Sequence, residues 1–171
     1  MRRGALAALV VLGMVACGTG ERPQTPQPRE GRAGLQLSGT VAGSQVAVSD
    51  GSPDLTLGDC EIAGGSARDL CAKSRDLRGG PVVLAVRNPG VLVAGETLPV
   101  GAPGCTGQGC DAVTDVAVVD VLLGEDGPRR ATSGVLALTA VQEGRRYAGR
   151  LRIELPDGML SGHFDLVPRP R

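Results

Sequence analysis

The chain has 171 residues, enough for one domain with a buried core, and its 18 basic and 18 acidic side chains give a formal charge of zero. Such a balance supplies no electrostatic attraction to nucleic acid or to an anionic bilayer. With one Tyr, one Phe and no Trp there are no rings to spare for stacking on bases or sugars, so nucleic acid is excluded as a partner.

The first element reads as an export signal. Met1-Arg2-Arg3 gives a charged start, Ala5 to Val15 is apolar, and small residues follow at Ala16 and Gly18 around Cys17. The apolar stretch is shorter than the ~20 residues that cross a bilayer as a helix. A cysteine at the break makes the run resemble the bacterial lipoprotein signal. Val15-Ala16-Cys17 fits its last three positions, and Met14 stands where leucine is usual. The resemblance implies that residues 1–16 are removed and that Cys17 is acylated and becomes the new N-terminus. It also implies a cell-envelope location, with the membrane as a partner through the lipid. Gly18, with no aspartate in its place, resembles the pattern of lipoproteins sent to an outer membrane, on its periplasmic or surface face. With a single membrane, the outer face of the plasma membrane takes that role. Loss of Arg2 and Arg3 leaves 16 basic against 18 acidic residues, a formal charge of −2.

Residues 17–34 follow, rich in proline, glycine and charge with little to bury, which is the composition of a disordered tether. The folded domain is expected over 35–168, with a short tail at 169–171. Cysteine parity fits this division. Of five cysteines, setting Cys17 aside leaves Cys60, Cys71, Cys105 and Cys110, an even set that reads as two disulfides in an exported chain. Three connectivities exist, and the local pairs Cys60–Cys71 and Cys105–Cys110 are favoured because each closes a short loop. Their spacings fit no zinc knuckle, and the single histidine is far away in sequence.

From Leu35 onward, short β-branched runs alternate with glycine, aspartate and proline clusters. Strands are expected near Leu35–Val41, Gln45–Ser49, Leu55–Cys60, Val82–Arg87, Val91–Ala94, Ala112–Leu123, Ala131–Val141, Arg146–Leu155 and Leu160–Val167. This is the pattern of an all-β antiparallel sandwich or small barrel. One short helix is expected over residues 66–79, capped by Ser66 with Asp69 three residues on, paired Asp69 to Lys73, and ended by Gly79 or Gly80.

Two turn signals, Glu143-Gly144 and Asp157-Gly158, predict a C-terminal three-stranded meander. Read as two-residue turns, they place Leu138 opposite Gly149 and Leu136 opposite Leu151. They also place Leu155 opposite Leu160, Leu151 opposite Phe164 and Gly149 opposite Leu166. Both put Tyr147, Leu151, Ile153 and Leu155 on the buried face. The other face carries Arg150, Arg152, Glu154, Ser161, His163 and Asp165, with Arg150 set against Asp165 and Arg152 against His163. Such a face is ordinarily solvated, its charge pairs worth a few tenths of a kcal/mol.

No residue set here amounts to a reaction, and no enzyme, cofactor or metal is expected. A hydrolase would have to use His163, and no Gly-x-Ser-x-Gly elbow accompanies it. Asp111, Asp115 and Asp120 are close in sequence, but the odd spacing of Asp115 and Asp120 sends those two to opposite faces of a strand. The acidic turns Asp50–Asp54 and Glu125–Gly127 lack the calcium-loop pattern. The glycine-rich loop from Gly101 to Cys110, once stapled, is the best candidate for a binding surface. Residues 132–167, with Leu160-Ser161-Gly162-His163-Phe164 near the end, look like the closing hairpins of small bacterial lipoproteins that finish in a Gly-x-Phe strand. That resemblance brings no active site. The expected function is a membrane-anchored envelope lipoprotein acting as a structural module or binding an envelope protein. The alternative is a lipocalin-like carrier of a small apolar ligand.

Overall fold

The computed structural model describes residues 34–58, 60, 62 and 65–167. Cys17, the expected signal segment, the expected tether up to residue 33 and the tail at 169–171 lie outside the described residues. Short runs of apolar residues, alternating or continuous, build eleven strands. They are β1 (Gly34–Val41), β2 (Ser44–Asp50), β3 (Asp54–Leu57), β4 (Leu70–Arg75), β5 (Pro81–Val86) and β6 (Thr97–Gly101). The remainder are β7 (Val119–Leu123), β8 (Pro128–Arg130), β9 (Ser133–Gln142), β10 (Arg146–Leu155) and β11 (Gly158–Leu166).

A six-stranded antiparallel sheet, ordered β2-β1-β11-β10-β9-β6, packs on a five-stranded one ordered β3-β4-β5-β7-β8. The sheets form a sandwich and do not close into a barrel. Two corners stitch the layers together. On one side the Leu77 N–H donates to the Ala47 carbonyl of β2 at 2.9 Å. On the other, Ala117 N–H donates to Pro99 of β6 at 2.8 Å, next to a parallel bridge between Val100 and Ala117. Both edges of the larger sheet therefore have polar backbone groups already engaged, which blunts edge-to-edge association.

Between the layers, Val82, Leu84 and Val86 of β5 and Val119 and Val121 of β7 meet Leu136, Leu138, Leu151, Ile153, Phe164 and Leu166. Burying each such side chain contributes roughly 1.5–3 kcal/mol. Between the sheets lies an all-apolar gap of about 20 Å3, room for about one water molecule. Both rings of the chain, Tyr147 and Phe164, are spent on this core.

The meander forms with the expected face inward. Leu138 pairs with Gly149 and Leu136 with Leu151, although the turn holds residues 143–145, one more than expected. A bulge at Ala148 and Gly149 absorbs the extra residue. Gly149 is needed there, because a Cβ would collide with the Ala137 carbonyl and sit 3.0 Å from Phe164 Cζ. The second hairpin differs in register: Leu155 pairs with Gly158, Ile153 with Leu160 and Gly149 with Phe164. Its turn is Pro156-Asp157, with proline second and glycine fourth among the four turn residues, the choice a type I turn favours. A slip of two residues leaves every side chain on its original face. Arg150 consequently lies opposite His163 and Arg152 opposite Ser161, while Asp165 takes Arg146 at 2.8 Å.

Other expectations are corrected. Residues 66–79 form no helix; Ser66 to Asp69 close a single turn and β4 follows, sending Leu70 and Ala72 into the core. Val91–Ala94 is not a strand but leaves a 3-10 turn at Pro89–Val91. The strand expected over Ala112–Leu123 begins only at Val119, and Gly107–Ala112 is a second 3-10 turn. β3 stops at Leu57, short of Cys60. β6 and β8 are strands that no sequence expectation covered.

Strand directions place several features at one end. β1 begins, β11 ends and the β9–β10 turn lies there, because Gly34 pairs with Asp165 and Tyr147 with Leu166.

Candidate functional site

Alternation along β4, β5 and β7 points Cys71, Val83, Ala85, Asp120 and Leu122 away from the main core. They do not face open water. Cys60 and Ile62 cover Cys71, Val83, Ala85 and Leu122 as a second, smaller apolar cluster. The disulfides are the expected local pairs: Cys60–Cys71 with Cα atoms 5.3 Å apart, and Cys105–Cys110 at 5.0 Å. The first fastens the segment before β4 to β4 itself, and the second closes the loop between β6 and β7.

Among the described residues a chain of four charges runs beneath these two stapled segments. Arg87, one residue past β5, is 1 % exposed and holds the strand pairing through its N–H to the Val118 carbonyl at 2.9 Å. Its Nη1 is 3.0 Å from Asp69 Oδ2 and its Nε is 3.4 Å from Asp120 Oδ2. Asp120 in turn accepts two hydrogen bonds from Arg130, at 2.8 Å from Nε and 3.1 Å from Nη2. Arg130 Nη1 reaches the stapled loop, donating to the Cys105 carbonyl at 2.6 Å and the Pro103 carbonyl at 3.2 Å. The same nitrogen is 3.7 Å from Cys105 Sγ. The hydrogen bond to Asp120 raises the Arg130 pKa against the opposing effect of burial, so its charge is fixed. Two cations alternate with two anions, which lets a buried charged set exist at all. Its role is to fix where the loops sit; a buried pair contributes little net stability compared with apolar replacements.

Asn88, 2 % exposed, organises the same region. Its Nδ2 donates to the carbonyls of Val113 and Val116 at 2.9 and 2.8 Å, and its Oδ1 accepts from Val118 N–H at 2.9 Å. One amide thus satisfies three backbone groups that a continuous strand would have paired in a ladder.

At the end where β1 begins lies an open cleft of about 690 Å3. Leu57, Val91 and Val141 give it apolar walls, and Arg68, Asp111 and Glu143 bring charge to it. Arg68 is largely exposed and 3.9 Å from Asp111, a loose contact that links the two stapled segments across the cleft. The cleft therefore combines apolar walls with exposed and half-buried charge.

The remaining sequence candidates are dispersed. His163 stands on the outer face of the larger sheet, its pKa lowered by burial and by Arg150 opposite it. Among the described residues it makes no hydrogen bond to a hydroxyl or a carboxylate. Asp111 lines the cleft, Asp115 is exposed and Asp120 belongs to the buried chain. Asp50 accepts from Ser52 N–H and Ser74 Oγ, both at 2.8 Å, and Asp126 is 3.3 Å from Arg129. Among the described residues no group of three His, Cys, Asp or Glu is placed to hold a metal ion. Comparison with protein-family models, with curated proteins and with solved structures gives no match.

The charged chain was missed in the sequence, and a signal for it existed. Arg87 ends the run Val82-Val83-Leu84-Ala85-Val86, whose neighbours are buried on both faces. An arginine continuing such a strand must find carboxylates. Which carboxylates depends on the order β4-β5-β7-β8, which no local pattern encodes.

Proposed function

We propose that this chain is a lipid-anchored cell-envelope protein whose β-sandwich is a non-catalytic module for holding a protein partner at the membrane. Thiol accounting carries the reading. Cys60, Cys71, Cys105 and Cys110 are paired with one another, so Cys17, at the end of the signal-like run, is the one cysteine left for acylation. Two disulfides in so small a body also fit an exported, oxidising setting. The gap of about 20 Å3 between the sheets is too small for a carried ligand, which supports an interaction module over a carrier. β1 starts at the end of the sandwich where the cleft lies.

The test is fractionation of cells producing the full chain. The wild type is expected in the membrane fraction, extractable by detergent and not by high salt. Cys17→Ala is expected to lose lipid labelling and leave that fraction. Retention of Cys17→Ala in the membrane would overturn the reading.

A further inference from the structure

Although the two disulfides lie close to one charged chain, their surroundings differ. Cys60 and Cys71 are 3 % and 0 % exposed, and both are packed in the second apolar cluster. Cys110 is likewise 0 % exposed. Cys105 alone is partly exposed, in a loop whose neighbours Gly104 and Thr106 are open to solvent. Among the described residues it is also the one cysteine beside a cation, with Arg130 Nη1 3.7 Å from its sulfur and bonded to its own carbonyl.

We propose that Cys105–Cys110 is a thiol–disulfide exchange site, with Cys105 as the sulfur that meets external thiols, while Cys60–Cys71 is the permanent bond. Exchange needs a thiolate to approach along the S–S axis, and of the four paired cysteines only Cys105 is not buried. An incoming thiolate from a dithiol attacks Cys105 Sγ, the S–S bond breaks, and the electron pair leaves on Cys110, which takes a proton in its buried setting. The second thiol of the dithiol then attacks its own sulfur in the mixed disulfide and releases Cys105. Two electrons have passed from the dithiol to the protein, the proton of its second thiol has been matched by the one Cys110 takes, and the negative charge of the incoming thiolate has moved to Cys105. Cys105 departs as a thiolate next to the Arg130 guanidinium, and a neighbouring cation stabilises that form. The substrate class is therefore a dithiol or, in the reverse direction, the disulfide of another envelope protein. The consequence spreads inward. The loop whose carbonyls hold Arg130 is the loop the bond closes, and Arg130 leads through Asp120 and Arg87 to Asp69, which flanks the other stapled segment. The inference does not depend on how the chain is anchored.

The experiment titrates the oxidised full chain with dithiothreitol, quenches by alkylation and maps cysteines by mass spectrometry. Cys105–Cys110 is expected to open at least tenfold faster than Cys60–Cys71. Simultaneous opening, or earlier opening of Cys60–Cys71, would overturn the proposal. A second measurement uses Cys110→Ser and glutathione disulfide. Glutathione is expected on Cys105, and Arg130→Gln in that background should slow its capture at neutral pH several-fold while Arg130→Lys restores most of it. Absence of a glutathione adduct on Cys105 would count against the site, and an unchanged rate in Arg130→Gln against the part given to Arg130.

Discussion

Removing the cation at the centre of the buried chain is the most searching test of the packing described above. In Arg87→Met the Asp69 carboxylate, 0 % exposed, loses the guanidinium 3.0 Å away, whereas Asp120 keeps its two bonds from Arg130. The methionine fills most of the vacated volume, so the cost is chiefly that of a buried charge without its partner, about 3–5 kcal/mol. With a urea slope near ~2 kcal/mol/M, the midpoint should fall by about 1.5–2.5 M at unchanged slope. Unfolding is followed by far-ultraviolet circular dichroism with both disulfides intact. The companion variant adds Asp69→Asn, which keeps an acceptor for the Ser66 N–H now bonded at 2.8 Å but removes the charge. The double variant should recover to within about 1–2 kcal/mol of the wild type, because charge and countercharge leave together. A loss below ~1 kcal/mol in Arg87→Met, or a double variant no better than the single, would refute the reasoning.

Other outcomes follow from single positions. Ile153→Ala, at a side chain 0 % exposed between the sheets, should cost about 2–5 kcal/mol in the same urea assay. Gly149→Ala drives a methyl toward the Ala137 carbonyl and Phe164 and should cost roughly 1–3 kcal/mol, whereas Gly104→Ala, with open space around it, should stay within about 0.5 kcal/mol. His163 has its pKa lowered in the folded state, so the unfolded chain binds its proton first as pH falls. The stability it contributes is present above the ordinary histidine pKa of ~6.5 and is lost as pH drops through the lowered value. Stability of His163→Gln measured against pH should fall less steeply below ~6.5 than the wild type.

What the sequence disclosed tracks the range of the forces involved. The meander was legible because its turns and its alternation are local, and the two-residue slip at Pro156-Asp157 left Leu151, Ile153 and Leu155 inside. Helix signals at Ser66 and Asp69 were also locally sound. Ser66 Oγ accepts from Arg68 N–H and Asp69 accepts from Ser66 N–H, the bonds of a helix start. Those bonds close one turn and go no further, because Leu70 and Ala72 gain more by alternating into the core and Cys71 by joining Cys60. The charged partner of Asp69 is Arg87, eighteen positions along, and not the i+4 lysine. Likewise the late start of β7 traces to Asn88, whose amide holds Val113, Val116 and Val118 from about thirty residues away. The disulfides were readable from loop length; the ion chain beneath them required the strand order.

Intact-mass and fragment analysis of the N-terminus of the membrane-extracted protein bears most directly on its proposed role. A mature chain beginning at an acylated Cys17 is the expected result. A chain that retains residues 1–16, or one whose Cys17 carries a free thiol, would contradict it.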